Sequence, residues 1–391
     1  GLTHPLIASS LYAAVPVGRR HRLHSLAAHL LVDEGADAEQ VAPHLLHTEP
    51  AGDERSVQVL REAALAATNR GAPEHAARFL RRALAEPPGH PDLAAEIHLR
   101  LGLALLGNID AQGISHLRQA VSSAPTAAGR GAHVVAASRA LGLAGYFGEA
   151  FAILRQGMAE IEETGAEDRE RIEAEISALA FLSADWLPWT SILDDRPPGR
   201  LRLDSVARAM KAGFDGEPPP VVNHHLRRVL EGGVLDREVE SLLPTAAQLM
   251  MIGQDDLQGT IERASWLVGM AEERGWVVAL AHACFLRSMA LVRAGRIREA
   301  EVDGRLAVEV KLANGAPRDA VQWGLATWID GLVESDQLDR ADQALEQAGM
   351  AESGLVDGAF ATPLVLQARA RLRLAQHRLD DALADAQAAG A

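Results

Sequence analysis

The sequence lacks most of what redox, metal or membrane chemistry would need. Cys284 is the only cysteine, so no disulfide can form within the chain and no multi-cysteine metal site is available. Its apolar neighbours predict an inert buried thiol. No apolar run reaches the ~18 residues of a membrane-spanning helix, and no signal peptide is visible. These absences fit a reducing compartment, and we expect a cytoplasmic protein without membrane contact.

Aromatic residues are also scarce, at 4% of a chain that is 48% hydrophobic. Alanine and leucine must therefore supply most of the packing, and both favour helices. Long alternating runs of β-branched residues, which would indicate strands, are missing. The composition predicts an all-α protein.

The sequence also lacks a cluster of basic residues and the common catalytic motifs. The net charge is −15, and no run of five or six basic residues occurs, so we expect no direct nucleic-acid binding by this segment. Lys211 and Lys311 are the only lysines, and neither lies in a phosphate-binding loop. His-Glu-x-x-His, Gly-x-Ser-x-Gly and paired Cys-x-x-Cys motifs are absent as well. The chain is therefore not expected to be an enzyme or to hold a cofactor by itself.

What the sequence does contain is a turn that recurs near its C-terminal end. It reads GRIREA at 295–300, DQLDRA at 336–341 and HRLDDA at 377–382, so its alanine returns every 41 residues. Self-similarity at such a period is typical of stacked helix-turn-helix repeats. We predict a tetratricopeptide-like solenoid of helical hairpins, although HEAT-type pairs have similar lengths.

Breaks in this pattern divide the chain into four predicted segments. Residues 1–50 form a separate group of helices, 53–165 are repeats, 166–235 are irregular because of clustered prolines, and 236–391 are repeats again.

Histidine pairs at 21/24 and 44/47 and acidic pairs at 194–195 and 255–256 could be read as metal ligands. Solvated helix rims and helix caps explain them better, so no metal site is expected.

The candidate site is a groove on the first helices of the C-terminal repeats. Trp323 and Trp328 lie on one such helix, and Arg287 and Arg369 occupy the register position of Trp328 in the repeats before and after it. An aromatic groove flanked by arginines could bind an anionic effector or a peptide. The alternative is that the tryptophans fill core space left by many alanines.

Several stretches resemble large ATP-dependent LuxR-type transcriptional regulators of actinobacteria. They are 3–12 (THPLIASSLY), 17–24 (VGRRHRLH), 40–46 (QVAPHLL), 71–84 (GAPEHAARFLRRAL) and 283–296 (ACFLRSMALVRAGR). The likeness covers most of the chain and is most specific in the first 85 residues. It implies that residues 1–50 are the tail of a winged-helix segment, followed by the helical-repeat array of a STAND-type regulator.

The resemblance also implies a role for this chain. An ATPase domain that binds ATP or ADP and a DNA-reading domain would lie outside it, and His4 matches a histidine that touches the nucleotide phosphate in related switch ATPases. The chain would then be the sensor and coupling portion, which binds a small effector or a protein partner. A helix cap is the simpler role for His4.

Two other functions stay open at this point. A stand-alone interaction scaffold would have a similar sequence, and either kind of protein could form homo-oligomers. A helical enzyme with a cavity between repeats is the third possibility, but no base, nucleophile or metal cluster supports it.

Overall fold

The computed structural model describes residues 5–86, 91–160, 165–195, 200–352, 354–356 and 359–390. These residues are helical with connecting turns and contain no β-strand, which confirms the all-α prediction. Among them, no helix is long and apolar enough to cross a bilayer.

The described ranges contain the following α-helices, numbered in chain order. They are α1 (Pro5–Ala14), α2 (Val17–Asp33), α3 (Ala38–Leu45), α4 (Glu54–Asn69), α5 (Pro73–Ala85), α6 (Pro91–Leu106), α7 (Gln112–Ser123), α8 (Ala127–Ala144), α9 (Phe147–Ala159), α10 (Ala166–Leu179), α11 (Ile192–Asp195), α12 (Asp204–Phe214), α13 (Pro219–Leu230), α14 (Val234–Arg237), α15 (Leu243–Gly253), α16 (Leu257–Arg274), α17 (Val277–Arg293), α18 (Ile297–Ala313), α19 (Arg318–Glu334), α20 (Leu338–Gln347), α21 (Thr362–Ala375) and α22 (Leu379–Ala389).

The recurring turn joins the two helices of each C-terminal hairpin, as predicted. α17 pairs with α18, α19 with α20, and α21 with α22, and the first helices α17, α19 and α21 pack on one another in sequence. The three register alanines, Ala300, Ala341 and Ala382, are buried near the start of the second helices. A small side chain there lets the paired helices approach closely.

The first residue of the turn has a left-handed backbone in all three hairpins. It is Gly295 at φ +73°, Asp336 at φ +57° and His377 at φ +62°. A left-handed residue ends a helix by turning the chain away from it, and glycine does this without strain. The turn therefore has the same backbone conformation in the three hairpins, although its first residue differs between them.

The remaining helices form two further groups. Helices α4–α9 make an N-terminal array of hairpins, preceded by α1–α3, and α3 packs on α4. The segment α10–α14 has shorter helices on the whole and includes 3₁₀ turns at Ala180–Leu182 and Ala184–Ser191. Pro188 and other prolines in this segment remove backbone donors and explain the interruption. Helices α15–α22 make the C-terminal array.

The two arrays contact each other directly. Helix α8 packs against α17, and a Cβ placed on Gly145 would lie only 2.2 Å from the Ala320 Cβ. A Cβ on Gly71 would likewise lie 2.6 Å from the Arg274 carbonyl oxygen. We call these two glycine positions the inter-array contact. They show that the two arrays approach each other closely at two places.

Candidate ligand and partner surfaces

Arg287 and Arg369, two of the predicted groove residues, face into their own hairpins. The Arg287 guanidinium donates to both carboxylate oxygens of Asp303, at 2.6 and 2.8 Å. Sixteen residues separate the partners, and the same spacing gives the Arg369 pair with Asp385, at 2.8 and 2.6 Å. Such bidentate pairs fix geometry as well as charge. Both arginines are already engaged by carboxylates of the fold.

Trp328 occupies the same place in the hairpin between them. Its partner position is Ala344, so an arginine–aspartate pair is replaced by a tryptophan–alanine pair of different chemistry. Trp328 is buried, and its backbone packs against Gly304 of α18. The expected open groove with an arginine on either side of Trp328 is therefore not what the structure shows. Trp328 and Arg369 are buried within their hairpins, whereas Arg287 is partly exposed and paired with Asp303, and ligand binding by these three residues stays a prediction.

Trp323, the fourth predicted residue, lies elsewhere, in an aromatic cluster. Its ring stacks on Phe360 with centroids 5.3 Å apart and meets Phe285 edge-on at 5.5 Å. Phe360 in turn contacts Phe214 at 5.8 Å, and Phe214 stacks on Phe181 at 5.1 Å. This aromatic cluster joins α17 and α19 to the middle segment. Sequence reasoning missed its phenylalanines because they come from four distant stretches.

A small cavity lies beside the aromatic cluster. Its volume is about 40 Å³, and Phe147, Leu242, His282 and Trp323 are among its lining residues. The Trp323 indole nitrogen is buried and finds no hydrogen-bond partner among the residues that the structure describes. Small-molecule sites usually measure ~300–1,000 Å³, whereas a water needs ≳10–15 Å³. The cavity as it stands has room for a few water-sized groups only.

Helices α17, α18 and α19 carry several buried ionisable groups. Burial, reinforced by the nearby Lys311 ammonium, lowers the pKa of His282 to about 3. Burial also lowers the pKa of Lys311 to about 8 and raises that of Asp319 to about 6. The Lys311 amine donates to the Ala320 carbonyl oxygen at 2.8 Å. Cys284 is buried and its pKa is raised to about 12, as expected for an inert thiol.

His24 of α2 meets His44 in the last turn of α3 and His47 just after it. His24 Nδ1 lies 2.9 Å from His44 Nδ1, and the His24 and His47 ring centroids are 4.7 Å apart. Burial and then the neighbouring His47 and His44 lower the pKa of His24. Within the described ranges no group of three or more His, Cys, Asp or Glu is arranged to hold a metal ion. His4 lies outside the described residues.

A set of exposed apolar side chains on α1 and α2, which we call the α1–α2 face, lies at the N-terminal end. Six of its large side chains are between 44 and 58% exposed: Leu11, Tyr12, Val17, Leu23, Leu26 and Leu30. Leu23, Leu26 and Leu30 follow the i, i+3, i+7 spacing of one helix stripe. Residues 1–32 contain three arginines, at 19, 20 and 22, and no acidic residue. The face is thus apolar and basic on a protein whose net charge is −15.

The last hairpin leaves a second apolar surface, which we call the array-end face. Leu374, Leu379 and Leu383 are 57 to 63% exposed there. At the two equivalent positions of the preceding hairpin, Val333 and Leu338 are half-buried. Within the described ranges α21 packs on α19 and α20, whereas no helix covers the far side of α21 and α22, which accounts for the difference.

Comparison with known proteins assigns no family to this chain. No protein-family model matches the chain, and no curated protein matches it. Among solved structures the chain is similar to the crystal structure of the P58(IPK) TPR domain, with 14% identity over 85% of this chain and 92% of that one. The TM-score of 0.23 is too low for this likeness to indicate a shared function.

Proposed function

We propose that this protein is a non-enzymatic helical-repeat scaffold that binds an acidic protein surface through its α1–α2 face. The observation that carries the proposal is the concentration of exposed leucines and arginines on that face. Large contiguous apolar patches are rare on free surfaces and mark interaction sites. The arginines select an acidic partner and the leucines provide the buried contact, since exposed ion pairs alone contribute little.

The leucines also distinguish a protein partner from nucleic acid. Binding to a phosphate backbone relies on positive charge and needs no apolar stripe. Leu23, Leu26 and Leu30 instead match the way in which an amphipathic helix is packed against another helix. The partner is therefore an acidic amphipathic helix or a helical surface of the same character.

A designed peptide tests the proposal directly. The probe is a helical peptide with leucine at i, i+3 and i+7 flanked by glutamates, and fluorescence anisotropy measures its binding. We expect saturable binding that weakens with salt and falls at least ~10-fold, about 1.4 kcal/mol, in the Leu26→Glu/Leu30→Glu variant. Leu65→Glu, which changes an exposed leucine of α4, is the matched control and should bind like the parent.

Two outcomes would reject the proposal. Equal affinity for the same peptide with lysine in place of glutamate would remove the charge argument. Binding of duplex DNA that is insensitive to the leucine changes would assign the face to nucleic acid.

A narrower function rests on the sequence resemblance together with the aromatic cluster. We propose that the chain is the sensor and coupling portion of a cytoplasmic LuxR-type regulator, whose ATP- or ADP-binding and DNA-reading domains lie in other parts of the protein. The supporting observation is that α17, α19 and the middle segment meet around Trp323 and Phe214. An effector at that point would contact both, and would shift an equilibrium only by binding one arrangement more tightly.

The neighbouring coding sequence is the first test of this narrower function. A phosphate-binding loop upstream and a helix-turn-helix downstream are expected, and the absence of both would reject it. In such a full-length regulator, His4→Ala should weaken ADP retention. Unchanged retention would remove His4 from the nucleotide site.

A further inference from the structure

The small cavity beside the aromatic cluster lies where the three groups of helices meet. Four of its lining residues show this: Phe147 belongs to α9 of the N-terminal array, Met210 to α12 of the middle segment, and His282 and Trp323 to α17 and α19 of the C-terminal array. A molecule bound in this space would therefore contact all three groups at once.

The wall of the cavity is apolar apart from three side chains, Thr245, His282 and Trp323, and among the described residues no charged side chain lines it. His282 Nδ1 lies 3.2 Å from the Val278 carbonyl oxygen, which can only accept, so the neutral ring keeps Nε2 as an acceptor. Burial lowers the pKa of His282 to about 3, so the ring is uncharged at neutral pH. A charged ligand would lose its hydration here without gaining a counter-charge, and the occupant must be uncharged.

The Trp323 ring is held in place, so its N–H cannot turn towards another partner. Phe360 stacks on the ring and Phe285 meets it edge-on. The buried Gln322 side chain accepts from the Val356 N–H at 3.0 Å and so anchors the loop that carries Phe360. A buried N–H without an acceptor is unfavourable, and an acceptor bound in the cavity would satisfy a donor that is already in position.

The volume of the cavity sets the size of the ligand. A water-sized group needs ~10–15 Å³, so about 40 Å³ accommodates three or four non-hydrogen atoms. We propose that the cavity binds an uncharged molecule of this size, a short-chain alcohol, whose oxygen accepts a hydrogen bond from the Trp323 indole. This inference rests on the narrower proposed function and deepens it, because it gives the chemical class of the effector.

NMR of the indole N–H groups tests the proposal on the full chain, with 1-propanol as the probe. The six tryptophans give six such signals, and the signal that is lost in Trp323→Phe identifies Trp323. We expect a saturable downfield shift of that signal alone, at millimolar propanol because so few atoms limit the affinity. Acetate and propylammonium, which are of similar size but charged, should give no saturable shift.

Variants locate the site. Ala246→Val adds two methyl groups to a lining residue and should abolish the shift. Trp328→Phe is the matched control, since the Trp328 indole nitrogen is also buried and finds no partner among the described residues, but Trp328 does not line the cavity. Its propanol affinity should equal that of the parent.

The hydrogen bond itself is tested in Trp323→Phe, with the methyl signal of the lining residue Met210 as the readout. Propanol affinity should fall at least ~3-fold, as for the loss of one neutral hydrogen bond. Xenon accepts no hydrogen bond and should bind this variant at least as tightly as the parent. An unchanged propanol affinity would remove the indole from the site.

Three further results would overturn the proposal. A linear shift of all six indole signals indicates a solvent effect only, and saturable binding of acetate or propylammonium contradicts an uncharged ligand. Propanol binding that survives Ala246→Val with unchanged circular dichroism places the ligand elsewhere. If that variant does not fold, the comparison of probes on the parent still decides. Peptide binding by the α1–α2 face and the neighbouring coding sequence test the proposed functions separately from all of these results.

Discussion

At the residue scale, Lys311 is the most unusual side chain of this protein. It is only 2% exposed, and its ammonium group donates a hydrogen bond to the Ala320 backbone carbonyl. Desolvation lowers its pKa from 10.5 to about 8, which means that the folded state binds this proton less tightly than the unfolded chain does. Lys311 therefore reduces stability at neutral pH.

Lys311→Met should stabilise the protein at pH 7. The pKa difference corresponds to roughly 3 kcal/mol, and loss of the hydrogen bond offsets about 1 kcal/mol, which leaves a gain of about 2 kcal/mol. The gain should shrink as pH rises from about 8 to about 10.5, because the folded and then the unfolded lysine become neutral over that range. Urea unfolding of parent and variant at several pH values measures it.

Lys211 provides the control, since it is the only other lysine. It is partly exposed and pairs with Asp215 at 2.7 Å across one helical turn. Lys211→Met should change the unfolding free energy by less than ~0.5 kcal/mol. A Lys311→Met variant that is less stable than the parent at pH 7 would contradict the desolvation argument.

At the scale of the helical hairpin, one pair of equivalent positions holds an arginine–aspartate ion pair in two hairpins and two apolar residues in the hairpin between them. The pairs Arg287–Asp303 and Arg369–Asp385 frame the hairpin that carries Trp328 and Ala344 instead. Removal of one partner of a buried ion pair leaves an uncompensated charge, whereas replacement of both by apolar groups is often tolerated. The middle hairpin shows such a replacement within the same chain.

This comparison predicts what happens when the Arg287–Asp303 pair is replaced by a tryptophan and an alanine. Asp303→Ala should destabilise the protein by about 2 kcal/mol, below the ~3–5 kcal/mol of a fully buried pair because Arg287 is partly exposed. The double variant Arg287→Trp/Asp303→Ala should recover at least half of that loss in thermal unfolding. Arg378→Ala, which breaks an exposed pair with Asp381, should cost less than ~1 kcal/mol. A double variant less stable than Asp303→Ala would show that the hairpins are not interchangeable.

At the scale of the whole molecule, the inter-array contact decides whether the two arrays unfold together. Gly145 combines a φ of +88° with the close approach to Ala320. A methyl group there strains the backbone and also pushes α8 away from the start of α19. Gly295, at φ +73° with open space around it, offers the same backbone without the contact.

Gly145→Ala should therefore cost more than Gly295→Ala. A left-handed alanine costs ~1–2 kcal/mol, and overpacking at the contact adds about 1–3 kcal/mol. Hydrogen exchange should accelerate in α8 and in the first turns of α19 for Gly145→Ala only. Equal effects of the two changes would mean that the contact does not couple the arrays.

The sequence by itself determined the helical class and the hairpin register. Alanine-rich composition and a 41-residue period depend only on local propensity and on the spacing of small packing residues, and both are visible in one dimension. The N-terminal stretch free of acidic residues is equally visible. The α1–α2 face itself emerges only when exposure is known, because its leucine spacing is that of any core-facing helix.

Only the tertiary structure decided where the candidate groove residues point. A 41-residue register places Arg287, Trp328 and Arg369 at equivalent positions, but the carboxylates that pair with the two arginines lie sixteen residues further on, across a turn. The aromatic neighbours of Trp323 come from α17 and from the loop before α21, and Phe360 of that loop contacts Phe214 of the middle segment. Contacts between distant stretches leave no periodic trace in a sequence, and they made the predicted groove into hairpin cores and an aromatic cluster.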